Sequence, residues 1–140
     1  MTFQVESLPV VIDASEAVEI IEGGQEVRDR LSRWAASRRL ILVPALFWTE
    51  LANALLWGRG MPPDAVRTRM SVMRTAGIET LTPSPTRVDA AVWLAARHRL
   101  SVYDASYLQG AVEIDASLAT RDVALARAAE AEGVALEPLD

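Results

Sequence analysis

The segment Leu8-Pro9-Val10-Val11-Ile12-Asp13 decides the fold class, because its short apolar stretch runs directly into an acidic residue. The apolar residues follow one another without alternation, and Val10, Val11 and Ile12 are β-branched. This pattern predicts a strand that is buried on both faces. Strands of that kind belong to parallel sheets that carry helices on both sides. We therefore place Asp13 at the carboxyl end of a strand in such a sheet.

The rest of the chain alternates short strands with helices. Further strands are predicted at Leu40–Val43, Ile78–Leu81, Ser117–Ala119 and Val134–Leu136. Helical spacing of apolar residues predicts helices at Glu16–Trp34 (broken at Gly23-Gly24), from Pro44 to about Trp57, after Pro62-Pro63-Asp64, and at Val88–Arg99, Asp104–Val112 and Asp122–Ala131. This alternation predicts a three-layer α/β/α architecture with a central parallel sheet. A chain of 140 residues has the usual size of one domain, so we expect a single domain over residues 1–140.

Two residues mark where helices are expected to begin. Ser15 is expected to cap the first helix, since serine is a preferred N-cap residue. Pro44 is expected in the first turn of the helix that follows the second strand, where its missing N–H costs nothing.

Three residue types are wholly or nearly missing, and this excludes several kinds of site. Cysteine and lysine do not occur, and His98 is the only histidine. Disulfides, cysteine nucleophiles, a P-loop lysine, a lysine Schiff base and a multi-histidine zinc site within one chain are therefore excluded. Any metal must be held by oxygen ligands, which favours Mg²⁺ or Mn²⁺. We predict a structural role for His98.

The charge and hydropathy of the chain indicate which binding partners and which surroundings the protein can have. The formal net charge of -5 argues against binding nucleic acid through the overall field, although it allows a local basic rim. No basic leader precedes an apolar segment, and no apolar run is long enough to cross a bilayer. We therefore expect a soluble, cytoplasmic protein without membrane contact.

Four acidic residues, far apart in the chain, fall where this architecture brings side chains to one edge. Asp13 and Asp122 directly follow predicted strands, and Glu50 and Asp104 lie on predicted helices. Binding sites of parallel sheets form beyond the carboxyl ends of the strands. Carboxylates gathered there repel one another unless a cation neutralises them. The pattern predicts a site for a divalent metal.

Each acid also has an ordinary structural interpretation. An arginine could neutralise Glu50, which lies on a mostly apolar helix stripe. Asp104 and Asp122 could cap the helices that follow them, and Asp13 could be a turn residue. Taken alone, capping is the better explanation of Asp104. The convergence of all four acids on one edge favours the metal site, because a stable fold rarely needs several repelling carboxylates together.

The sequence resembles the PIN-domain ribonucleases, and especially the VapC-like toxins of bacterial toxin-antitoxin pairs. The matching pieces are Val11-Ile12-Asp13-Ala14-Ser15, Glu50-Leu51-Ala52-Asn53-Ala54-Leu55, Tyr103-Asp104-Ala105-Ser106-Tyr107 and Leu118-Ala119-Thr120-Arg121-Asp122. Together they extend over nearly the whole chain. The resemblance implies a PIN-like fold in which the four acids form the active site and Ser15 and Thr120 support them.

The resemblance also implies a function. It is that of an endoribonuclease, dependent on Mg²⁺ or Mn²⁺, that hydrolyses RNA phosphodiester bonds and leaves a 5′ phosphate and a 3′ hydroxyl. Asp13 and Asp104 are expected to be the principal metal ligands, with Glu50 and Asp122 holding a second ion or orienting water. Arg121 is the candidate residue for binding the substrate, because a guanidinium group can donate two hydrogen bonds to one phosphate.

The implied partners are a cognate antitoxin protein and a second copy of the chain in a homodimer. Trp34, Trp48, Trp57 and Trp93 are expected in the core or in the dimer interface. For Trp48 and Trp57 we also consider exposure beside a groove that would take an amphipathic segment of the antitoxin.

Three other functions compete with this one. A receiver-type phosphorylation domain requires a lysine near its acidic pocket. A haloacid-dehalogenase-like phosphatase requires a lysine and a second aspartate two residues after Asp13, where Ser15 stands. The absence of lysine argues against both enzymes. The remaining alternative is a PIN-like module that binds or scaffolds RNA without cleaving it.

Overall fold

The computed structural model describes residues 8–139, apart from the side chain of Val27. Strands and helices alternate along these residues. The strands are β1 (Val10–Ile12), β2 (Ile41–Pro44), β3 (Ile78–Leu81) and β4 (Ser117–Ala119). The helices are α1 (Ala14–Glu22), α2 (Gln25–Ala36), α3 (Leu46–Asn53), α4 (Pro63–Thr75), α5 (Pro85–His98), α6 (Val102–Glu113) and α7 (Val123–Ala131), and Ala54–Gly58 continues α3 as a π-helical segment.

The four strands form one parallel sheet in the order β3-β2-β1-β4. The strand β1 is central, and its residue Val11 pairs with Leu42 on one side and with Leu118 on the other. Because all strands run the same way, the chain leaves each of them at the same edge of the sheet. We call this the carboxyl edge. The predicted three-layer α/β/α fold with a central parallel sheet is confirmed.

The apolar core lies on both faces of the sheet. All three residues of β1 are completely buried, as are Phe47 and Leu51 of α3 and Leu108 of α6. Burying a leucine or phenylalanine side chain stabilises a fold by about 1.5–3 kcal/mol, so helices on either face are held to the sheet mainly by such contacts. No helix within residues 8–139 is long and apolar enough to span a bilayer.

The glycine pair divides the first helical stretch as predicted. Gly23 and Gly24 both have extended backbone conformations, so α1 ends at Glu22 and α2 begins at Gln25. The orientation of α2 relative to α1 follows from this break.

The structure corrects the predicted bounds of several strands and helices. Pro44 closes β2, where it pairs with Leu81, and α3 begins only at Leu46. The predicted strand at Val134–Leu136 is reduced to one isolated parallel bridge between Leu136 and Leu118. Helix α5 begins three residues earlier than expected, because the Ser84 hydroxyl caps it by accepting the Arg87 N–H at 3.1 Å.

Candidate active site

Asp13 stands at the carboxyl end of β1 and caps α1. It is 5% exposed, and its Oδ1 accepts hydrogen bonds from the Glu16 N–H at 2.9 Å and from the Ser15 hydroxyl at 2.7 Å. Thr120, which follows β4, donates its hydroxyl to Oδ2. The expectation that Ser15 caps α1 is wrong, because Asp13 supplies the capping oxygen and Ser15 lies inside the helix. Three hydrogen bonds thus fix the orientation of the Asp13 carboxylate.

The loop after β4 connects Asp122 to Asp13. The Thr120 hydroxyl oxygen accepts the Asp122 N–H at 3.0 Å, and the Ser15 hydroxyl accepts the Arg121 N–H at 3.0 Å. Asp122 caps α7, in agreement with its ordinary structural interpretation, and its Oδ1 accepts the Leu125 N–H at 3.0 Å. The cap uses only Oδ1, so the second oxygen is open to another interaction.

Glu50 lies half-buried on α3, where the Tyr107 hydroxyl donates a hydrogen bond to Oε1 at 2.5 Å. Within residues 8–139 the partner of Glu50 is therefore a tyrosine, and the interpretation that paired it with an arginine is wrong. Tyr107 is 1% exposed on α6. Its pKa is raised far above the ordinary value, first by burial and then by the hydrogen bond to Glu50, so the hydroxyl remains a donor.

Asp104 belongs to the first turn of α6 and does not cap it. Ser101 is the cap, since its hydroxyl accepts the Asp104 N–H at 3.0 Å. The capping interpretation of Asp104 is wrong because the helix begins at Val102. Asp104 and Tyr107 are three residues apart, so both lie on the same side of α6.

The four acids influence one another electrostatically. Burial is the main cause that raises the pKa of Asp13, Glu50 and Asp104 above their ordinary values. Repulsion adds to this, because Asp122 raises the pKa of both Asp13 and Asp104, and Asp13 and Asp104 raise the pKa of Glu50. The hydrogen bonds to these carboxylates lower their pKa but do not cancel the effect. Ionising all four groups together is thus unfavourable without a compensating cation.

The donor chemistry fits a hard divalent cation, since every candidate ligand is a carboxylate oxygen. Within the described residues, no three His, Cys, Asp or Glu side chains are arranged to hold a metal ion by themselves. Mg²⁺ commonly takes only one or two carboxylates and completes its shell with waters and substrate phosphates. The four candidate acids fit this mode of binding better than they fit a site in which protein ligands alone surround the ion.

A buried ion-pair cluster is centred on Glu16 of α1. Glu16 is completely buried, and its carboxylate bonds to the guanidinium groups of Arg30 on α2 and Arg121 beside Asp122. Burial raises the pKa of Glu16, and the two arginines partly offset this. Arg121 Nε lies 3.0 Å from Glu16 Oε2, while the side chain remains 33% exposed. Arg121, the candidate residue for binding substrate, is therefore held by Glu16 and partly exposed to solvent.

The sequence did not indicate roles for Glu16 or Tyr107, and the interpretation of Arg30 as part of a solvated helix face or basic rim is wrong, because Arg30 is buried against Glu16. For Glu16 a signal existed, because an acid three residues after the cap Asp13 has the spacing of a capping box. For Tyr107 the signal was its position three residues after Asp104. Nothing in the sequence singles out Arg30 among the arginines, since its burial depends on how α2 packs.

Comparisons with known proteins agree with this architecture. A model of the PIN domain matches residues 10–131. The crystal structure of PAE2754 from Pyrobaculum aerophilum is similar with a TM-score of 0.68 and 21% identity, over 87% of this chain and 80% of that one. The crystal structure of VapBC2 from Rickettsia felis, bound to a DNA fragment from their promoter, is similar with a TM-score of 0.72 and 13% identity, over 93% of this chain and 98% of that one. No curated protein matches the chain.

Proposed function

Because this chain belongs to the PIN-domain family, whose members are generally nucleases, we propose that it is a metal-dependent endoribonuclease and the toxin of a toxin-antitoxin pair. One observation carries the proposal. Burial raises the pKa of Asp13, Glu50 and Asp104, and each pKa is raised further by repulsion from another of the four acids, which supports a shared site. A protein that only needed a stable fold would gain nothing from this arrangement.

We assign the cation-binding role chiefly to Asp13 and Asp104, and a second or water-orienting role to Glu50 and Asp122. A bound Mg²⁺ or Mn²⁺ supplies the positive charge that lets these carboxylates and a phosphodiester share one site. Asp13 suits a ligand role because its three hydrogen bonds hold the carboxylate in one orientation before any cation binds.

Glu50 is the best candidate for the group that takes the proton of the attacking water. The pKa of Glu50 is raised and therefore lies closer to neutral pH than that of an ordinary glutamate, which suits a general base. The water oxygen bonds to phosphorus as the bond to the 3′ oxygen breaks, and the 3′ oxygen takes a proton. The products are a 5′ phosphate and a 3′ hydroxyl. Tyr107 keeps the Glu50 carboxylate in place during this exchange.

Arg121 is the proposed handle for a substrate phosphate. Glu16 holds Nε of its guanidinium, and the partial exposure of the side chain leaves the remaining N–H groups accessible. A guanidinium held in this way loses little entropy when it binds a phosphate oxygen.

The proposed protein partners are an antitoxin and a second copy of this chain. Trp57 and Trp93 support a protein partner, since they are 77% and 74% exposed in the single chain. Trp48 does not lie open as considered above, because it is partly buried and its Nε1 donates to Thr80 Oγ1 at 2.9 Å. Trp34 is buried in the core as expected. The structural likeness to the VapBC2 complex supports the antitoxin.

The test is cleavage of total RNA by the purified protein with Mg²⁺, with Mn²⁺ and with a chelator. Asp13→Asn and Asp104→Asn are the diagnostic variants, and asparagine at position 13 retains a capping oxygen for α1. Asp64→Asn, on the exposed start of α4, is the matched control. We expect discrete fragments that need metal, are lost in the two diagnostic variants and persist in the control.

The main competing function predicts a different result from the same samples. An RNA-binding or scaffolding module would bind RNA and metal in the wild-type protein but leave the RNA intact. Cleavage that survives both Asp13→Asn and Asp104→Asn would instead indicate a contaminating nuclease.

A further inference from the structure

Helix α5 exposes apolar side chains along the face that points away from the core. Its buried residues are Ala91, Leu94 and Ala95, which pack inward. On the other side of the helix, Trp93 is 74% exposed and Val92 is 47% exposed. A tryptophan presents about 150–250 Å² of surface that can be buried, and neighbouring apolar side chains left open to water indicate an interaction site.

Three exposed residues of this face follow one another at intervals of four. Asp89, Trp93 and Arg97 therefore form one row along the helix, with a rise of about 6 Å from each residue to the next. We call this row the α5 ridge. Rows of residues four apart are the ridges that interlock in the commonest packing of two helices. The α5 ridge thus has the form that a second helix can pack against.

Both charged residues of the α5 ridge can still bind a partner. Within residues 8–139 the Asp89 side chain forms no ion pair and no hydrogen bond. Arg97 donates from Nη1 to both carboxylate oxygens of Glu132, at 2.8 and 3.1 Å, and its side chain remains 60% exposed. A guanidinium carries N–H donors on all three nitrogens, so Arg97 can bond to a second carboxylate through Nε and Nη2.

From this row we infer that two copies of the chain associate through the α5 ridge as an antiparallel, two-fold symmetric pair. The two Trp93 rings meet at the symmetry axis, and Asp89 of each copy faces Arg97 of the other. The acid and the base each lie four residues from Trp93, so the same contact forms at both ends of the pair. A two-fold interface requires such a self-complementary surface. The inference rests on the second copy in the proposed function, names its surface, and does not depend on RNA cleavage.

An unrelated protein is a less suitable partner for the α5 ridge. Such a partner must complement α5, but α5 has no need to complement itself. Two charges of the same sign, or an acid and a base at unequal distances from Trp93, would not pair across a two-fold axis. The opposite charges of Asp89 and Arg97 at equal distances from Trp93 satisfy the symmetry at both ends.

The first experiment measures the mass of the purified full chain by light scattering after gel filtration. We expect the wild type to have twice the chain mass of 15.3 kDa. Trp93→Asp places two like charges at the axis in place of two rings, so it should raise the dissociation constant of the pair at least about tenfold. Trp57→Asp is the matched control, since Trp57 is 77% exposed on the π-helical segment, and it should remain a pair. A monomeric wild type, or a pair that Trp93→Asp does not weaken, overturns the inference.

A charge exchange tests the symmetry of the pair. Asp89→Arg alone and Arg97→Asp alone each place like charges opposite one another at both ends, so each should weaken self-association at least about tenfold. A mixture of the two variants has unlike charges at both ends, and we expect it to form the mixed pair. Native mass spectrometry detects that pair when one variant carries a purification tag.

Arg127→Asp is the control for the charge exchange, because it reverses an exposed arginine on α7, and it should self-associate like the wild type. Circular dichroism checks that Asp89→Arg and Arg97→Asp are folded, since Arg97→Asp also loses the bond to Glu132. Folded variants that do not form the mixed pair, or that each self-associate like the wild type, contradict the antiparallel pairing.

Cleavage of RNA by the same samples separates failure of this inference from failure of the proposed function. A pair that is lost in Trp93→Asp, in a protein that does not cleave RNA, supports the α5 ridge while the ribonuclease proposal fails. Metal-dependent cleavage by a monomeric wild type supports the ribonuclease and overturns the pairing through α5.

Discussion

At the scale of single residues, the candidate site is a set of carboxylates whose orientation is set by neutral donors. Asp13 is held by Ser15 and Thr120 in addition to a backbone N–H, and Glu50 is held by Tyr107. Neutral donors fix a carboxylate without cancelling its charge. The acids therefore stay oriented and remain able to attract a cation.

The substitution Tyr107→Phe tests whether Tyr107 orients Glu50, because it removes the hydrogen bond between them. Removing the hydroxyl costs about 1 kcal/mol of unfolding free energy, and cleavage should fall about tenfold because Glu50 loses its orientation. The Tyr107 hydrogen bond lowers the pKa of Glu50, so its loss should also shift the rising limb of the pH–kcat/KM profile to higher pH. Urea unfolding and the pH profile are the measurements.

Tyr103→Phe is the control for that experiment, since Tyr103 is 66% exposed on the same helix. It should leave stability and the pH profile as they are in the wild type. An identical profile for Tyr107→Phe and wild type would exclude a role for Tyr107 in positioning Glu50.

At the scale of helices and strands, the site depends on how α1 and α2 are joined. Glu16 and Arg30 form a buried ion pair between these helices, and Glu16 also holds Arg121 in the loop after β4. A buried ion pair adds little net stability compared with apolar packing. Removing one partner is nevertheless costly, because the other charge stays buried without that partner. This pair therefore ties the geometry of the site to the packing of α2.

Arg30→Met should for this reason destabilise the protein by about 3 kcal/mol, measured by urea unfolding. Arg28→Met is the matched control, because Arg28 is exposed on the same helix, and it should change the free energy of unfolding by less than about 0.5 kcal/mol. Equal effects of the two substitutions would show that the buried charge of Glu16 does not depend on Arg30.

At the scale of the whole molecule, acids that are far apart in the chain raise one another's pKa, so we expect stability to depend on pH and on cations. Asp13, Glu50 and Asp104 have ordinary pKa values of 3.8, 4.5 and 3.8, and each is raised in the folded protein. Between the unfolded and folded pKa values the native state binds more protons than the unfolded chain. The contribution of these groups to stability is then complete below their unfolded pKa and is lost as the pH rises through their folded pKa.

A divalent cation should restore the stability that is lost as the pH rises. Thermal unfolding in Mg²⁺ or in chelator, across the pH range, measures this gain. The increase in Tm on adding Mg²⁺ should be larger at pH about 8 than at pH about 5, because only ionised carboxylates attract the cation. At a concentration about 100-fold above Kd the gain is about 2.7 kcal/mol. Asp13→Asn should reduce the effect and Asp64→Asn should not. A Tm increase of equal size at both pH values would contradict a cation held by these acids.

Much of the fold and of the site layout was predictable from short segments. The uninterrupted apolar run before Asp13 and the strand before Asp122 placed two acids at strand ends, and the parallel sheet confirmed those positions. Helix starts were predicted less well, because Ser84 and Ser101 compete with nearby residues as caps and only the backbone geometry decides between them. The strand expected at Val134–Leu136 was wrong since local propensity does not guarantee a ladder of hydrogen bonds.

The sequence by itself determined the α/β class and the oxygen-only chemistry of any metal site, and it singled out the four acids as candidates, because periodicity and residue type are local properties. Only the tertiary structure decided that Tyr107 holds Glu50 and that Glu16 joins Arg30 to Arg121. These contacts join residues 14 to 105 positions apart. Such contacts depend on how helices pack on the sheet, and packing is a property of the whole chain.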